Sequence, residues 1–195
     1  MRVSRWLTGV SVVLCACGTV SVYPFYTPSQ AYMDSTLLGG WSDSTGSESA
    51  TFVASGTQYD IVYQDHGKRA QFVGTLFRLG RHRLLDVTPG QMPESAMDAA
   101  PDLYWSLLLP GHAVLFLDWT ATRLAFANIE PDSIKSYVRS HPGLIRHFFI
   151  ADHDSTLVLD GLPAELQRFV LTMARRPHVL ADSAIWARAM SPGGT

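Results

Sequence analysis

A histidine and an aspartate in an apolar part of the chain form the first pair of residues that suggests chemistry. His112 precedes the apolar run that ends at Leu117, and Asp118 lies six residues after His112. Such a pair can act as a general base and the group that orients it. Spacing assigns no nucleophile to the pair, and a histidine held for structural reasons by a backbone group or a carboxylate is the competing interpretation. His112 and Asp118 are therefore the candidate catalytic residues of an envelope hydrolase, the alternative to a non-enzymatic domain.

The sequence lacks the motifs of the commonest hydrolases and nucleotide-binding proteins. It contains no Gly-x-Ser-x-Gly, no His-Glu-x-x-His and no Gly-x-x-x-x-Gly-Lys. The seven histidines include no pair spaced i, i+4 or as His-x-His. Asp152-His153-Asp154 offers three metal-ligating side chains in succession, but neighbouring side chains diverge and a solvated turn is the better interpretation. We expect no metal site and no cofactor.

The N-terminus has the pattern of a secretory signal peptide. Arg2 and Arg5 give a positively charged start, and the apolar stretch from Trp6 to Leu14 follows. This stretch is too short to cross a bilayer, because a spanning helix needs about 20 apolar residues. A charged start, a short apolar centre and small residues at the cleavage point are typical of such a leader. The two cysteines of the chain lie at its end, and one interpretation is that they are incidental.

The residues Leu14-Cys15-Ala16-Cys17 resemble the bacterial lipobox, in which a small residue directly precedes the modified cysteine. The resemblance implies that residues 1–16 are a lipoprotein signal peptide, and that Cys17 receives a diacylglycerol and an acyl chain such as palmitate on its amine. Cys15 fits less well because Leu14 would then occupy the small-residue position. Two or three acyl chains hold a protein durably at a membrane. Gly18 favours the outer membrane of a Gram-negative host, with the domain facing the periplasm.

Charge and composition limit the kind of domain that follows the leader. The chain of 195 residues has a formal net charge of −2, and loss of Arg2 and Arg5 lowers it to −4. There is no basic surplus to neutralise phosphates, which argues against a nucleic-acid partner. Once the leader is removed and Cys17 acylated, no thiol remains for a disulfide or a zinc–sulfur site. About 179 residues are enough for one domain with its own core.

The domain boundaries follow from composition. Residues 17–36 comprise the acylated N-terminus and a stretch rich in glycine, serine and threonine with two prolines. We interpret this stretch as a flexible tether with a reach of about 25 Å. The alternative is that its aromatic side chains dock on the domain or on lipid headgroups. Residues 37–190 then form a single domain, and residues 191–195 a tail.

Alternation of apolar and polar residues predicts a succession of strands in this domain. Residues 58–64 alternate, and residues 70–79 form the longest alternating strand. Between them, Asp65-His66-Gly67-Lys68 is typical of a hairpin turn, with glycine supplying the positive backbone angle. Two or three helices are predicted in the second half of the chain, beginning at Pro131, at Pro163 and near Asp182.

Eight to ten strands in hairpin succession favour an antiparallel up-and-down β-barrel, since closure removes exposed edges. The predicted fold class is mainly β with late helices, a β-rich α+β arrangement. Gly39-Gly40-Trp41 places a Gly-x-Trp at the first strand, and in this the chain resembles lipocalin-like (calycin) barrels and bacterial lipoproteins of that kind. The resemblance implies an arginine packed over the tryptophan, for which Arg123 and Arg146 are candidates. The late helices depart from a minimal lipocalin.

The resemblance also implies a ligand cavity inside the barrel. The candidate ligand-binding residues are Trp41, Phe72, Trp105 and Leu115, although aromatic residues at alternating positions often form plain core. A stretch rich in proline, glycine and methionine over residues 88–101 is either a lid or a surface excursion. We therefore expect a membrane-anchored envelope lipoprotein that binds a small apolar ligand or an envelope protein and catalyses no reaction.

Overall fold

A computed structural model of the chain describes residues 20–101, 104–105, 111–150, 156–181 and 183–189. The predicted signal peptide, Cys17, the Asp152-His153-Asp154 turn and the tail at 191–195 lie outside these ranges. The strands are β1 (Val20–Ser21), β2 (Ala31–Tyr32), β3 (Gly39–Ser42), β4 (Glu48–Ser55), β5 (Gln58–Asp65), β6 (Lys68–Leu79), β7 (His82–Pro89), β8 (His112–Trp119), β9 (Arg123–Ala127), β10 (His147–Ile150), β11 (Thr156–Leu159) and β12 (Ala184–Arg188). The α-helices are α1 (Glu94–Met97), α2 (Pro131–Ser140) and α3 (Pro163–Ala174).

Eight of these strands close an antiparallel barrel. Their order around it is β3-β4-β5-β6-β7-β8-β9-β12, and β12 pairs back onto β3. Strands β3 to β9 are neighbours both in sequence and in space, so the barrel is up-and-down. The predicted fold class, mainly β with helices mostly late in the chain, is confirmed, and the barrel is compatible with a lipocalin-like fold.

Side-chain alternation sorts each barrel strand into an inner and an outer face. In β5, Tyr59, Ile61 and Tyr63 are buried inside the barrel, whereas Asp60 between them is exposed. Strand β6 alternates in the same way at its start and is then buried on both faces from Gly74 onward, apart from one arginine. Its second half is covered on both sides because the long helices pack against the outside of the barrel.

A second apolar core lies between the barrel wall and helices α2 and α3. Ile134 and Val138 of α2 and Phe169 of α3 pack there with Phe77, which points out of the barrel. Both helices begin with the predicted prolines at their first position, where the missing N–H costs no hydrogen bond. Strands β1, β11 and β10 extend the sheet beside the first half of β8. The part of the chain that the structure describes contains no helix long and apolar enough to cross a bilayer.

The flexible tether expected over residues 17–36 is wrong for residues 20–36, which pack against the barrel. Strand β1 pairs with β8 and β11, and β2 pairs with β6. Phe25 is 1% exposed, and its amide donates to Asp86 Oδ2 at 2.8 Å. Burial of apolar and aromatic side chains in this stretch, about 1.5–3 kcal/mol for each fully buried one, outweighs the entropy of a free coil. The alternative interpretation, in which aromatic residues of this stretch dock on the domain, agrees with the burial of Phe25.

The helix predicted over residues 182–190 is also wrong, because residues 184–188 form strand β12. Trp186 is 3% exposed inside the barrel, while its neighbour Ile185 is 57% exposed outside. The edges of β9 and β3 offer backbone partners on both sides of the segment, and pairing with both removes two open edges at once. Of the α-helices whose bounds the structure describes, the third is the four-residue α1.

Candidate functional site

An apolar cavity of about 60 Å³ lies at the centre of the barrel. Every barrel strand except β3 contributes side chains to its lining, which is aliphatic and aromatic. Phe72 and Leu115, two of the four predicted ligand-binding residues, are among them. The structure therefore brings these two residues together at one apolar space.

The two predicted tryptophans do not line this cavity. Trp41 is fully buried, but it lies toward the end of the barrel that holds the β8–β9 turn. Trp105 is 45% exposed and only its neighbour Tyr104 reaches the core. Aromatic residues are common in plain core and on surfaces, so residue type alone did not separate these positions from Phe72.

The stretch after β7 covers the opposite end of the barrel. The Gly90 amide donates to the Gln71 carbonyl at 2.8 Å, and Tyr104 Oη donates to the Gly90 carbonyl at 3.1 Å. The Tyr104 ring is 3% exposed and meets Phe72, a cavity residue, edge to face at 5.9 Å. Met92 and Met97 pack against the same core. We call residues 90–101 and 104–105, which cover this end of the barrel, the lid.

An arginine packs over Trp41, as the lipocalin resemblance implies, but it is neither of the two candidates. Arg188 of β12 stacks its guanidinium 4.2 Å from the Trp41 ring centre. The same guanidinium donates to the carbonyls of Thr36, Leu38 and Ala121 at 2.6–2.7 Å. Gly39 has a φ of 103°, and a Cβ there would lie 3.0 Å from the arginine. The Gly-x-Trp motif therefore makes room for this contact.

Arg123 and Arg146, the two candidates named from the sequence, form ion pairs elsewhere. Arg123 lies 3.7 Å from Asp118, and Arg146 lies 3.9 Å from Asp160. The sequence signal for Arg188 was hidden because the segment around it was predicted to be helical. Once that segment is a strand beside β3, Arg188 and Trp41 are directly opposite each other.

His112 does not pair with Asp118, so the predicted combination of base and orienter is wrong. The two residues lie at opposite ends of β8, about 20 Å apart at 3.3 Å per residue. Asp118 instead contacts Arg83 and Arg123 on the surface. The physical reason is that an extended strand holds residues six positions apart far from each other. A helix or a turn of the same length could have brought the two side chains together.

The carboxylate beside His112 is Asp86, in the middle of the neighbouring strand β7. Its Oδ1 lies 2.7 Å from His112 Nδ1, and its Oδ2 accepts the Phe25 amide. Asp86 is 2% exposed, whereas His112 keeps 20% of its side-chain surface open. This carboxylate ties the N-terminal segment and β8 to the barrel wall.

A second group of ionisable side chains lies at the lid end of the barrel. Glu48 opens β4, Asp65 closes β5 directly opposite it, and His66 follows in the turn. Oxygen and nitrogen atoms of the three side chains all lie within 4.8 Å of one another. Burial raises the pKa of Glu48, and the carboxylates of Asp65 and Asp43 raise it further. The hydrogen bond to Asp65 raises the pKa of His66.

Comparison with known proteins adds no relative to this description. No protein-family model, no curated protein and no solved structure matches the chain. The barrel, its cavity and the two clusters of ionisable residues are therefore the observations from which a function is argued.

Proposed function

We propose that this chain is a lipid-anchored lipoprotein of the bacterial envelope, in the outer membrane facing the periplasm, whose barrel binds a small apolar ligand without catalysing a reaction. The observation that carries the binding proposal is the apolar cavity at the barrel centre, with Phe72 and Leu115 in its lining. Empty cavities in proteins are apolar, stay dry and take up apolar molecules. A ligand larger than this cavity needs additional space, and movement of the lid would supply it.

The size of the cavity makes the lid part of the proposal. About 60 Å³ is room for about two water molecules, whereas an apolar cavity of about 150 Å³ takes up benzene and pockets for drug-sized ligands have about 300–1,000 Å³. Tyr104 rests on Phe72 at the lid end of this space. Outward movement of the Tyr104 ring would join the space that it fills to the cavity. We infer that the ligand enters from this end and replaces the tyrosine ring.

The anchor proposal rests on Cys17 and the lipobox resemblance. The fold adds a limit on the distance between the anchor and the barrel. Val20 is already hydrogen-bonded in the sheet between β8 and β11. Three residues from Cys17 to Val20 span at most about 11 Å when fully extended. An acylated Cys17 would therefore hold the barrel against the membrane surface, in place of the reach of about 25 Å expected from a free tether.

The test of ligand binding uses the full chain with both cysteines replaced by serine, so that no acyl anchor is attached. Tyr104→Ala should bind the neutral apolar fluorophore N-phenyl-1-naphthylamine about tenfold more tightly than the parent chain, because it removes the ring that occupies the space. Trp105→Ala is the matched control, since its side chain is exposed and outside the cavity, and it should leave binding unchanged. Tyr104→Val is the milder variant if alanine prevents folding.

Two results would contradict the binding proposal together. They are a folded Tyr104 variant that binds the fluorophore no better than the parent, and native mass spectrometry that finds no small molecule with the purified protein. The partner-protein alternative would then stand. Its support is β10, which pairs with β11 alone among the described strands and exposes Phe148 and Ile150. Such an edge accepts an extended segment as an added strand.

The hydrolase alternative is supported by the bond between His112 Nδ1 and Asp86. Among the described residues, however, no hydroxyl hydrogen-bonds to His112. Ser21, directly opposite it on β1, is fully buried and donates its hydroxyl to the Leu159 carbonyl at 3.2 Å. A base without a nucleophile favours the non-enzymatic proposal. The hydrolase alternative would be favoured instead if the parent chain hydrolysed lipid or glycan esters and a folded His112→Asn chain did not.

A further inference from the structure

Glu48 is a buried acid whose carboxylate has no partner of its own. The residue is 6% exposed, and among the described residues no donor or cation contacts its carboxylate oxygens within hydrogen-bonding or ion-pair distance. Its backbone amide, by contrast, donates to Asp43 Oδ1 at 3.1 Å. A buried charge is costly unless it is paired or coordinates a metal ion. The Glu48 oxygens keep a small contact with solvent, and an ion reaching them would supply the pairing that the described residues do not give.

The nearby acid Asp43 shows how an acid at this end of the barrel is satisfied when its role is structural. Its carboxylate accepts hydrogen bonds from the hydroxyls of Thr45 and Ser47 and from two backbone amides. Glu48 has none of these contacts, and its oxygens face Asp65 and His66 instead. The difference marks Glu48 as a ligand-facing carboxylate rather than a turn-capping one.

We propose that Glu48, Asp65 and His66 bind a divalent transition-metal ion of the Zn²⁺ type. The β4–β5 register sets the two carboxylates opposite each other, and the turn adds the imidazole one residue later. Three protein ligands of mixed oxygen and nitrogen type, with water in the remaining position, suit Zn²⁺. An imidazole ligand disfavours Mg²⁺ and Ca²⁺, which prefer oxygen alone. The His66 side chain is 60% exposed, so an ion can reach the site from solvent.

The metal-free geometry shows what an ion would replace. Asp65 Oδ1 and His66 Nδ1 lie 2.5 Å apart, at hydrogen-bonding distance. Metal ligands must be deprotonated, so an ion bound to both atoms takes the place of the proton of this hydrogen bond, which passes to the buffer. The ion would also place a positive charge beside the Glu48 carboxylate. It would fasten the β5–β6 turn to the start of β4 at the lid end of the barrel.

The turn allows the imidazole to be removed without disturbing the backbone. His66 has a φ of 47° and Gly67 a φ of 84°, as the two central residues of a type I′ hairpin require. Asn-Gly is the preferred pair for this turn, so His66→Asn keeps its conformation. His178 is the matched control, because it is an exposed histidine with a φ of 57° that lies outside the cluster. Glu48→Gln keeps the shape of the buried side chain and removes its charge.

The experiment is calorimetric titration of ZnCl₂ into the metal-depleted, full-length cysteine-free chain, in two buffers with different ionisation enthalpies. We expect one ion per chain, release of protons, and a rise in the melting temperature. His66→Asn and Glu48→Gln should weaken binding at least about a hundredfold, since loss of even outer-shell partners costs about ten- to a hundredfold. His178→Asn should bind as the parent does, and millimolar Mg²⁺ and Ca²⁺ should give no heat.

Two outcomes would overturn the proposal. One is the absence of saturable Zn²⁺ binding in the parent chain. The other is binding that persists in folded His66→Asn and Glu48→Gln chains or that weakens equally in the His178→Asn control. Neither outcome depends on the cavity, so this proposal and the ligand-binding proposal stand or fall separately.

Discussion

Replacement of Asp86 by alanine should release the N-terminal segment from the barrel wall. Asp86 is 2% exposed and holds two groups at once, the Phe25 amide at 2.8 Å and His112 Nδ1 at 2.7 Å. The variant leaves a buried amide without an acceptor and an imidazole without its carboxylate. It also tests whether the His112–Asp86 pair belongs to the architecture or to catalysis.

The structure sets the size of the effect. A buried group left without its hydrogen-bond partner costs about 1–3 kcal/mol, and Asp86→Ala takes the acceptor from two such groups, so we expect a loss of about 2–4 kcal/mol. His112→Asn should cost less, about 1–2 kcal/mol, because Asp86 keeps its bond from Phe25 and water reaches the partly open histidine position. Asp86→Asn should lie between them, since an amide oxygen still accepts from the Phe25 amide.

Urea unfolding followed by tryptophan fluorescence measures these differences, and amide hydrogen exchange locates them. In Asp86→Ala, the Phe25 amide should exchange by local opening while the amides of β4 and β5 stay protected. The reasoning would be refuted if Asp86→Ala lost less than about 1 kcal/mol of unfolding free energy, or if the Phe25 amide kept its full protection. A purely catalytic Asp86 would give that second pattern.

Three further predictions concern the other end of the barrel, the surface and the anchor. Arg188→Ala should lower the unfolding free energy by about 2–4 kcal/mol, because three carbonyls lose their donor. Arg188→Lys should lower it by about half as much, because a lysine keeps the charge but cannot donate to three carbonyls in fixed directions. Urea midpoints distinguish the two variants. Burial, with the charge of Arg81 adding to it, lowers the pKa of His82. The unfolded chain therefore binds the proton first, so stability should fall as the pH drops below about 6.5, and His82→Gln should reduce the difference between urea midpoints at high and low pH. Cys17→Ser should abolish incorporation of an alkyne-labelled palmitate and release the protein from membranes, whereas Cys15→Ser should leave both unchanged.

Local sequence pattern determined the alternating barrel strands such as β5 and β6, though not β12, and the start of the long helices. Tyr59, Ile61 and Tyr63 alternate with polar neighbours, and this period of two defines an inner face whichever strand lies beside it. Pro131 and Pro163 mark helix starts because proline tolerates only the first turn. The Gly-x-Trp at residues 39–41 indicated a barrel only through its resemblance to lipocalin-like proteins, and its first glycine has the positive φ at the contact with Arg188.

Position along the chain did not determine which side chains meet. Asp86 pairs with His112 because β7 and β8 are neighbours in register, and Asp118, on the same strand as His112, is carried to the far end. Glu48 and Asp65 face each other through the same kind of cross-strand register. A pattern within one strand predicts the face on which a residue lies, but only pairing with another strand decides its partner.

Tertiary structure alone also decided the two segments at the ends of the described chain. Residues 184–188 have no local preference strong enough to exclude a helix, and the open edges of β9 and β3 make them a strand that brings Arg188 over Trp41. Residues 20–36 have the composition of a linker, yet Phe25 is buried because Asp86 accepts its amide and the second core covers its ring. The sequence by itself determined the alternation, the turns and the helix starts, all of which depend on near neighbours. Closure of the barrel, the docked N-terminal segment and both clusters of ionisable residues depend on contacts between distant parts of the chain, so only the fold decided them.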